Sequence, residues 1–499
     1  MNRVGATHGP RGVRSAAVLV ALAALAGCGA GDDARGRVDG VVLFVCDTLR
    51  ADRLSCYGYE RPTPGIDRLA RMGTLFENHH SQGHWTLPSM TSMMTGLYVQ
   101  HESQALPLDR PTLAETLSEH GVETAAFVGN KVIGRERGFS RGFESFFVVE
   151  NPMTRASELV RRFDAWRDER EKRDERRPWF CWIHTMDTHG PYTPLPEDAI
   201  YEGTRRPGLE DLRKLWAGAT KDVEARNAGV QDWLPHLQAM QRMNAFSNAY
   251  DGEVRSVDRA VSSVLDRLER DGDLEHTAIL FAADHGEMLF EYEHYPARLD
   301  DLARREGGLV KGLADWFVDG HEDWFYPQNW NTPMIAVGPG YASGRRVDAL
   351  SANIDIYPTV LEFLGVARPS VLDGDLLSNA DSRESVFAHG RTTTAVLRRD
   401  GMQAVEVGRG RYLEDATKTL VFDARAPRLV DLGDERPELR DELTSTIAAW
   451  KSDRAFVPNM DVPEITSSVL RQLGYAELPD ELDESHAEGE VGDGDGDEE

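Results

Sequence analysis

The sequence predicts an α/β chain built on a mostly parallel central sheet with helices on both faces, followed by a small C-terminal antiparallel subdomain. Three apolar runs of strand length carry that prediction: Val41 to Cys46, Trp179 to Ile183 and Thr277 to Ala283. None alternates apolar with polar as a half-wet sheet would, so each fits a parallel strand covered on both sides. Helical patterns lie between them. The clearest spans Asp251 to Arg270, with Val254, Val257, Val261, Val264, Leu265 and Leu268 on one face and Asp271-Gly272-Asp273 as its stop. A second amphipathic helix is read over Met153 to Arg177. Alternation of this kind indicates a parallel sheet sandwiched by helices.

Each apolar run ends in a polar cluster. The first reaches Asp47-Thr48, the second His184-Thr185-Met186-Asp187-Thr188-His189, the third Asp284-His285-Gly286-Glu287. The carboxyl ends of parallel strands are where open α/β sheets assemble ligand sites. A fourth segment, Thr86 to Gly96, reads as a helix with Pro88 in its first turn and Gly96 at its exit. Thr86 would then lie beside unpaired backbone N–H groups and the positive end of the helix dipole, a setting that favours an alkoxide and a bound anion. Taken alone, that segment is better explained by Thr86 capping the helix. Together with the strand-end clusters it suggests more. Asp47, Thr86, Asp284 and His285 offer three oxygens and one imidazole, a set suited to one divalent cation such as Mg, Ca, Mn or Zn. A cation touching Thr86 would depress its hydroxyl pKa.

These pieces resemble the sulfatase family of the alkaline phosphatase superfamily. The matching blocks are Asp47 to Asp52 with Tyr57-Gly58-Tyr59, Thr86 to Gly96, Asp187 to Tyr192, Asp284 to Glu287, Thr332-Pro333-Met334-Ile335 with Gly338-Pro339-Gly340, and Asp355 to Thr359. They stand in family order from about residue 38 to 366, with weaker similarity to roughly 452. The resemblance implies that Asp47, Asp284 and His285 hold the metal, that Thr86 is the nucleophile, and that His189 and His321 contact the transferred anionic group. It divides the chain into a catalytic domain over 39–385 and a C-terminal subdomain over 386–455.

The chain also departs from that family. Sulfatases carry Cys or Ser at the nucleophile position, within a C/S-x-P-x-R signature, for conversion to formylglycine; here the two positions are Thr86 and Met90. Threonine cannot become formylglycine. The segment that supplies sulfate-binding groups in the family reads Gly129-Asn130-Lys131, with Lys131 out of register. A threonine attacking phosphorus gives a phosphothreonine that a second displacement can resolve, whereas a threonine sulfate ester lacks the self-expulsion step of the formylglycine hydrate. The sequence therefore favours phosphodiester or phosphomonoester hydrolysis, or phosphoryl transfer. The alternatives are a sulfatase using another route and a non-catalytic binding protein on the same fold. Asp187 with His189 could begin a second metal site, but the Asp-x-His spacing is tight and one metal is expected. For His184 and His294 a structural role is the better reading.

Residues 1–28 read as a lipoprotein signal: Arg3, Arg11 and Arg14 precede the apolar run Ala16 to Ala26, which ends in the lipobox Leu25-Ala26-Gly27-Cys28. Acylation of Cys28 would tether the protein to a bacterial membrane, facing outward in the envelope, through a linker at 29–38. Cys46 and Cys181 fit small core positions, and a disulfide from Cys56 to either stays open. The 499-residue chain has a net charge of −28, which argues against nucleic acid as a partner. The expected partner is a small-molecule, glycan or lipid anionic ester. Residues 476–499, rich in Asp, Glu and Gly, read as a disordered acidic tail.

Overall fold

The computed structural model describes residues 38–99, 105–151, 154–173, 176–201, 234–289, 325–390, 393–407, 417–426 and 431–452, with 234–246 as helical backbone. In chain order the main elements are β1 (Gly40–Cys46), α1 (Pro64–Met72), β2 (Thr74–Phe76), β3 (His79–His80), α2 (Thr86–Thr95), α3 (Leu113–Glu119), β4 (Glu123–Val128), β5 (Ser145–Val148), α4 (Ala156–Glu171) and β6 (Trp179–Thr185). There follow α5 (Leu234–Asp271), β7 (Thr277–Ala283), α6 (Pro327–Trp330), β8 (Met334–Val337), β9 (Arg345–Val347), β10 (Ser351–Ala352), α7 (Ile356–Phe363), β11 (Ser385–His389), β12 (Thr393–Arg398), β13 (Met402–Val407), β14 (Lys418–Asp423) and α8 (Pro437–Ser452).

The central sheet has eight strands in the order β5-β4-β6-β1-β7-β8-β2-β9. β8 runs antiparallel to both β7 and β2, while the other adjacent pairs are parallel. The three apolar runs are its neighbouring middle strands β6, β1 and β7, and every residue of each is buried. Side chains alternate across a strand, so each run feeds two cores. Val41, Leu43, Val45, Phe180, Trp182, Ala278, Leu280 and Ala282 pack with residues of α2, α3 and α7. Val42, Phe44, Cys46, Cys181, Ile183, Ile279, Phe281 and Ala283 pack with α1, α4 and α5. Two apolar faces explain why the runs show no polar alternation.

The C-terminal strands form an antiparallel sheet in the order β11-β12-β13-β14. One face, including Val386, Leu397, Val405 and Phe422, packs on Phe325, Trp330 and Ile354. The other, through Val396, Ala404 and Val421, receives Leu439, Leu443 and Ile447 of α8.

Two helix boundaries differ from the sequence reading. The helix expected over Met153 to Arg177 is α4, Ala156–Glu171, and Met153 lies outside the described residues. Its start is set from elsewhere in the chain: the Ala156 N–H donates to Asp187 Oδ2 at 2.8 Å, an external carboxylate meeting an orphan first-turn donor. The helix expected from Asp251 begins at Leu234. Cys46, Cys56 and Cys181 are free thiols. Among the described residues no helix is long and apolar enough to cross a membrane.

Candidate active site

The site grows from the register of the three middle strands. Val45 lies beside His184 and Cys46 beside both Thr185 and Ala283. The ladder continues one step beyond the strands, with Asp47 N donating to Thr185 O at 2.8 Å and Asp284 N to Cys46 O at 3.3 Å. Val45, Trp182 and Ala282 face the α2 side. Two residues further on, alternation puts Asp47, His184 and Asp284 toward that same side. All three are fully buried.

The turn after β1 is pinned by hydroxyls. The Thr48 hydroxyl lies 2.7 Å from Asp47 O and 2.6 Å from Thr188 O, and Thr188 donates its own hydroxyl to Asp47 O. Thr48 has φ of 59°, the left-handed region that a β-branched residue rarely adopts. That conformation points its N–H at Asp284 Oδ1, 3.2 Å away. Behind it, Tyr250 donates to Thr48 O at 2.8 Å and accepts from Arg50 N at 2.9 Å.

Asp284 is held equally closely. Its Oδ1 also accepts from His285 N at 2.8 Å, while its backbone carbonyl accepts from Ser89 of α2 and from Asn353. Gly286 is required by close approach: a Cβ there would meet the Gln328 carbonyl oxygen at 1.9 Å. His285 Nδ1 lies 2.9 Å from Gly286 O, a contact that fixes Nδ1 as the donor and turns Nε2 toward the cluster.

Thr86 is the first residue of α2, and extended Trp85 precedes it. Its hydroxyl lies 3.4 Å from Asp47 Oδ2 and 3.4 Å from His285 Nε2. It thus faces the carboxylate cluster, which displaces the capping explanation. Met90, at the place of the family arginine, is buried in the apolar core.

Four atoms here are buried without a hydrogen bond: Asp47 Oδ1, Asp284 Oδ2 and both ring nitrogens of His184. Asp47, His184 and Asp284 can each aim one donor atom so that all three lie within 4.8 Å of one another. His285 Nε2 lies 3.4 Å from Asp47 Oδ1 and 3.7 Å from Asp284 Oδ2. Burial alone would lower the His285 pKa, but the Asp284 charge and the Asp47 contact push it up to about 9. Burial would raise Asp47, yet His285, with the charges of His189 and His184, holds it well below the ordinary carboxylate range. Desolvating a carboxylate costs several kcal/mol even after relaxation, so two facing one another call for a cation. The donor set fits a divalent metal.

The remaining candidates fall as follows. His189 is buried with Nδ1 2.6 Å from Gly190 O, and its charge is felt at Asp47. Asp187 is engaged in structural contacts: Oδ1 accepts from Ser256 at 2.7 Å and Oδ2 caps α4. Lys131 pairs with Glu150 at 3.0 Å, half-exposed. Its neighbour Asn130, singled out by no sequence pattern, donates to Asp47 Oδ2 at 2.9 Å. His184 was read as structural, and the structure instead brings its unsatisfied ring to the two carboxylates. His321, His294 and Cys28 lie outside the described residues.

The sequence profile of the sulfatase family matches residues 40–366. The chain belongs to the sulfatase family. It is 23% identical over 443 residues to N-acetylglucosamine-6-O-sulfatase of Bacteroides thetaiotaomicron, covering 74% of this chain and 78% of that one. The same identity, over 421 residues, relates it to an arylsulfatase of Clostridium perfringens, with 70% and 80% covered. Among solved structures, a protein bound to its substrate D-glucosamine-2-N,6-O-disulfate superposes with a TM-score of 0.62 at 17% identity, covering 84% of this chain and 98% of that one. The phosphonate monoester hydrolase of Agrobacterium radiobacter superposes at 0.61 with 17% identity, covering 83% and 95%. The protein is a sulfatase-family hydrolase acting on ester bonds, in a fold shared by sulfate-ester and phosphonate-ester enzymes.

Proposed function

We propose that this sulfatase-family enzyme uses Thr86 as its nucleophile and attacks phosphorus, hydrolysing a phosphodiester or phosphomonoester or passing the phosphoryl group to an acceptor. The observation that carries this reading is the Thr86 hydroxyl at 3.4 Å from both Asp47 Oδ2 and His285 Nε2, at the mouth of α2. Asp47, Asp284, His285 and Thr86 would hold one divalent metal, which when bound lowers the hydroxyl pKa and neutralises substrate oxygens. Thr86 Oγ displaces the ester oxygen, which leaves with its electron pair, and water or an acceptor alcohol then cleaves the phosphothreonine. The α2 dipole favours the anion bound at its N-terminus. His189 contacts that anion, and His321 is proposed to do the same on the strength of the family resemblance.

The relatives named as sulfatases support a sulfate ester as the second reading, and the phosphonate monoester hydrolase supports phosphorus. The inability of threonine to form formylglycine favours phosphorus. The test is a panel of aryl phosphate monoester, phosphodiester, phosphonate ester and sulfate ester substrates, followed by mass spectrometry of protein quenched during turnover. The expected result is faster cleavage of a phosphorus ester and an adduct on Thr86. A sulfate ester cleaved faster than every phosphorus ester would overturn the proposal. The lipobox at Leu25 to Cys28 supports an outward-facing, lipid-tethered location in a bacterial envelope.

A further inference from the structure

His184 has no part in the chemistry just proposed, yet its ring is fully buried beside the reacting centre and neither nitrogen makes a hydrogen bond. A buried polar atom left unsatisfied costs on the order of 1–3 kcal/mol, and native proteins seldom leave one without a partner, water or ion. Nε2 lies 3.6 Å from Asp284 Oδ2 and 4.0 Å from Asp47 Oδ2. Bonds of about 2.0–2.2 Å meeting at open angles keep donors about 3–4 Å apart, so these are separations of side chains sharing one cation.

The oxygens are few. Asp47 Oδ2 accepts from Asn130, and Asp284 Oδ1 accepts from the Thr48 and His285 amides. An oxygen that accepts an amide hydrogen bond keeps a lone pair for a cation, so the two carboxylates offer at most four oxygens. With Thr86 that makes at most five side-chain oxygens, fewer than the 6–8 that calcium takes. Two imidazoles complete the ring of donors.

We propose that His184 is a metal ligand, and that with His285 it makes a two-imidazole, two-carboxylate site selecting a borderline cation, Zn2+, Mn2+ or Fe2+, over Ca2+ and Mg2+. This rests on the reading that Asp47 and Asp284 bind a metal. Pulsed EPR of the Mn2+-loaded wild-type chain should detect two inequivalent imidazole nitrogens; a single one overturns the proposal. Competitive titration of metal-stripped protein should show Mn2+ and Zn2+ held at least roughly 100-fold more tightly than Ca2+, and His184→Gln should lose roughly 10–100-fold for both with less than about threefold change for Ca2+. His184→Gln binding Mn2+ as wild type does, while Asp47→Asn does not bind, defeats the His184 assignment alone. Wild-type protein that binds none of these cations defeats the metal reading as well.

Discussion

Thr48 stores strain at the site, and two substitutions there should separate the strain from the hydroxyl it serves. At φ of 59° a β-branched residue carries about 1–2 kcal/mol of backbone cost. Thr48→Gly removes that cost. It also removes the hydroxyl proton shared by the Asp47 and Thr188 carbonyls, but Asp47 O keeps the Thr188 hydroxyl, so only Thr188 O is orphaned. An unsatisfied buried carbonyl costs about 1–3 kcal/mol, and glycine adds about 0.5–1 through the unfolded chain. The gain and losses nearly offset, leaving Thr48→Gly about 1–2 kcal/mol less stable than wild type. Thr48→Val keeps the strain, loses the donor and sets a methyl against two carbonyl oxygens, so a loss of about 2–4 kcal/mol is expected. Urea denaturation with chelator present, so that metal does not mask the difference, should rank wild type, then Gly, then Val. Valine as stable as wild type, or glycine less stable than valine, would refute the account of this turn.

Thr86→Ala should lower turnover by several orders of magnitude while Thr86→Ser keeps measurable activity, because the hydroxyl survives; steady-state kinetics with wild-type-like activity in the alanine variant would remove Thr86 from the mechanism. In metal-stripped protein the His285 pKa is raised from 6.5 to about 9, so the stability from its pairing with Asp284 and Asp47 is fully present below pH 6.5 and is lost as pH rises through 9. Thermal melts should fall across that window after chelation and resist the fall once metal is restored; coincident curves would contradict it. Two buried histidines act at the acid end. Burial lowers His79 to about 4 and His80 to about 3, so the stability of their neutral forms is present above 6.5 and lost as pH falls through those values, read as a melting temperature that drops from about pH 6.5 down to about pH 3. Cys28→Ser should release the protein from the membrane fraction of a bacterial host with lipoprotein processing, and unchanged fractionation would argue against the tether.

Much of the fold was legible because β1, β6 and β7 are buried on both faces and so leave unbroken apolar runs. The short strands β2, β8 and β9, and the reversal at β8, left no such trace, since three or four residues cannot establish a period. Asp47, Asp284 and His285 stood out as the first polar residues past a strand. His184 opened the polar cluster after Ile183 but was read as structural, and β6 in fact runs on through it to Thr185. Its parity with Trp182 and Phe180, which face α2, was the available signal: the position two beyond Trp182 points to the side where Thr86 waits. Asn130 escaped because its neighbour Lys131 carries the charge, and a neutral amide is ordinarily a turn residue. Met90, which the motif resemblance sets where the family has arginine, is an apolar core residue.

The register that joins β6, β1 and β7 binds the fate of the site to that of the whole sheet. Asp47, His184 and Asp284 are delivered by three adjacent, fully buried ladders, whose amides are expected to exchange through global rather than local opening. Loss of the ligand geometry should therefore coincide with cooperative unfolding, and a ligand that binds only the native chain raises the free energy of every amide in that layer by the same amount. Exchange protection at Val42 to Val45, buried in the middle of the sheet, should then report the occupancy of the site as faithfully as an assay at its mouth.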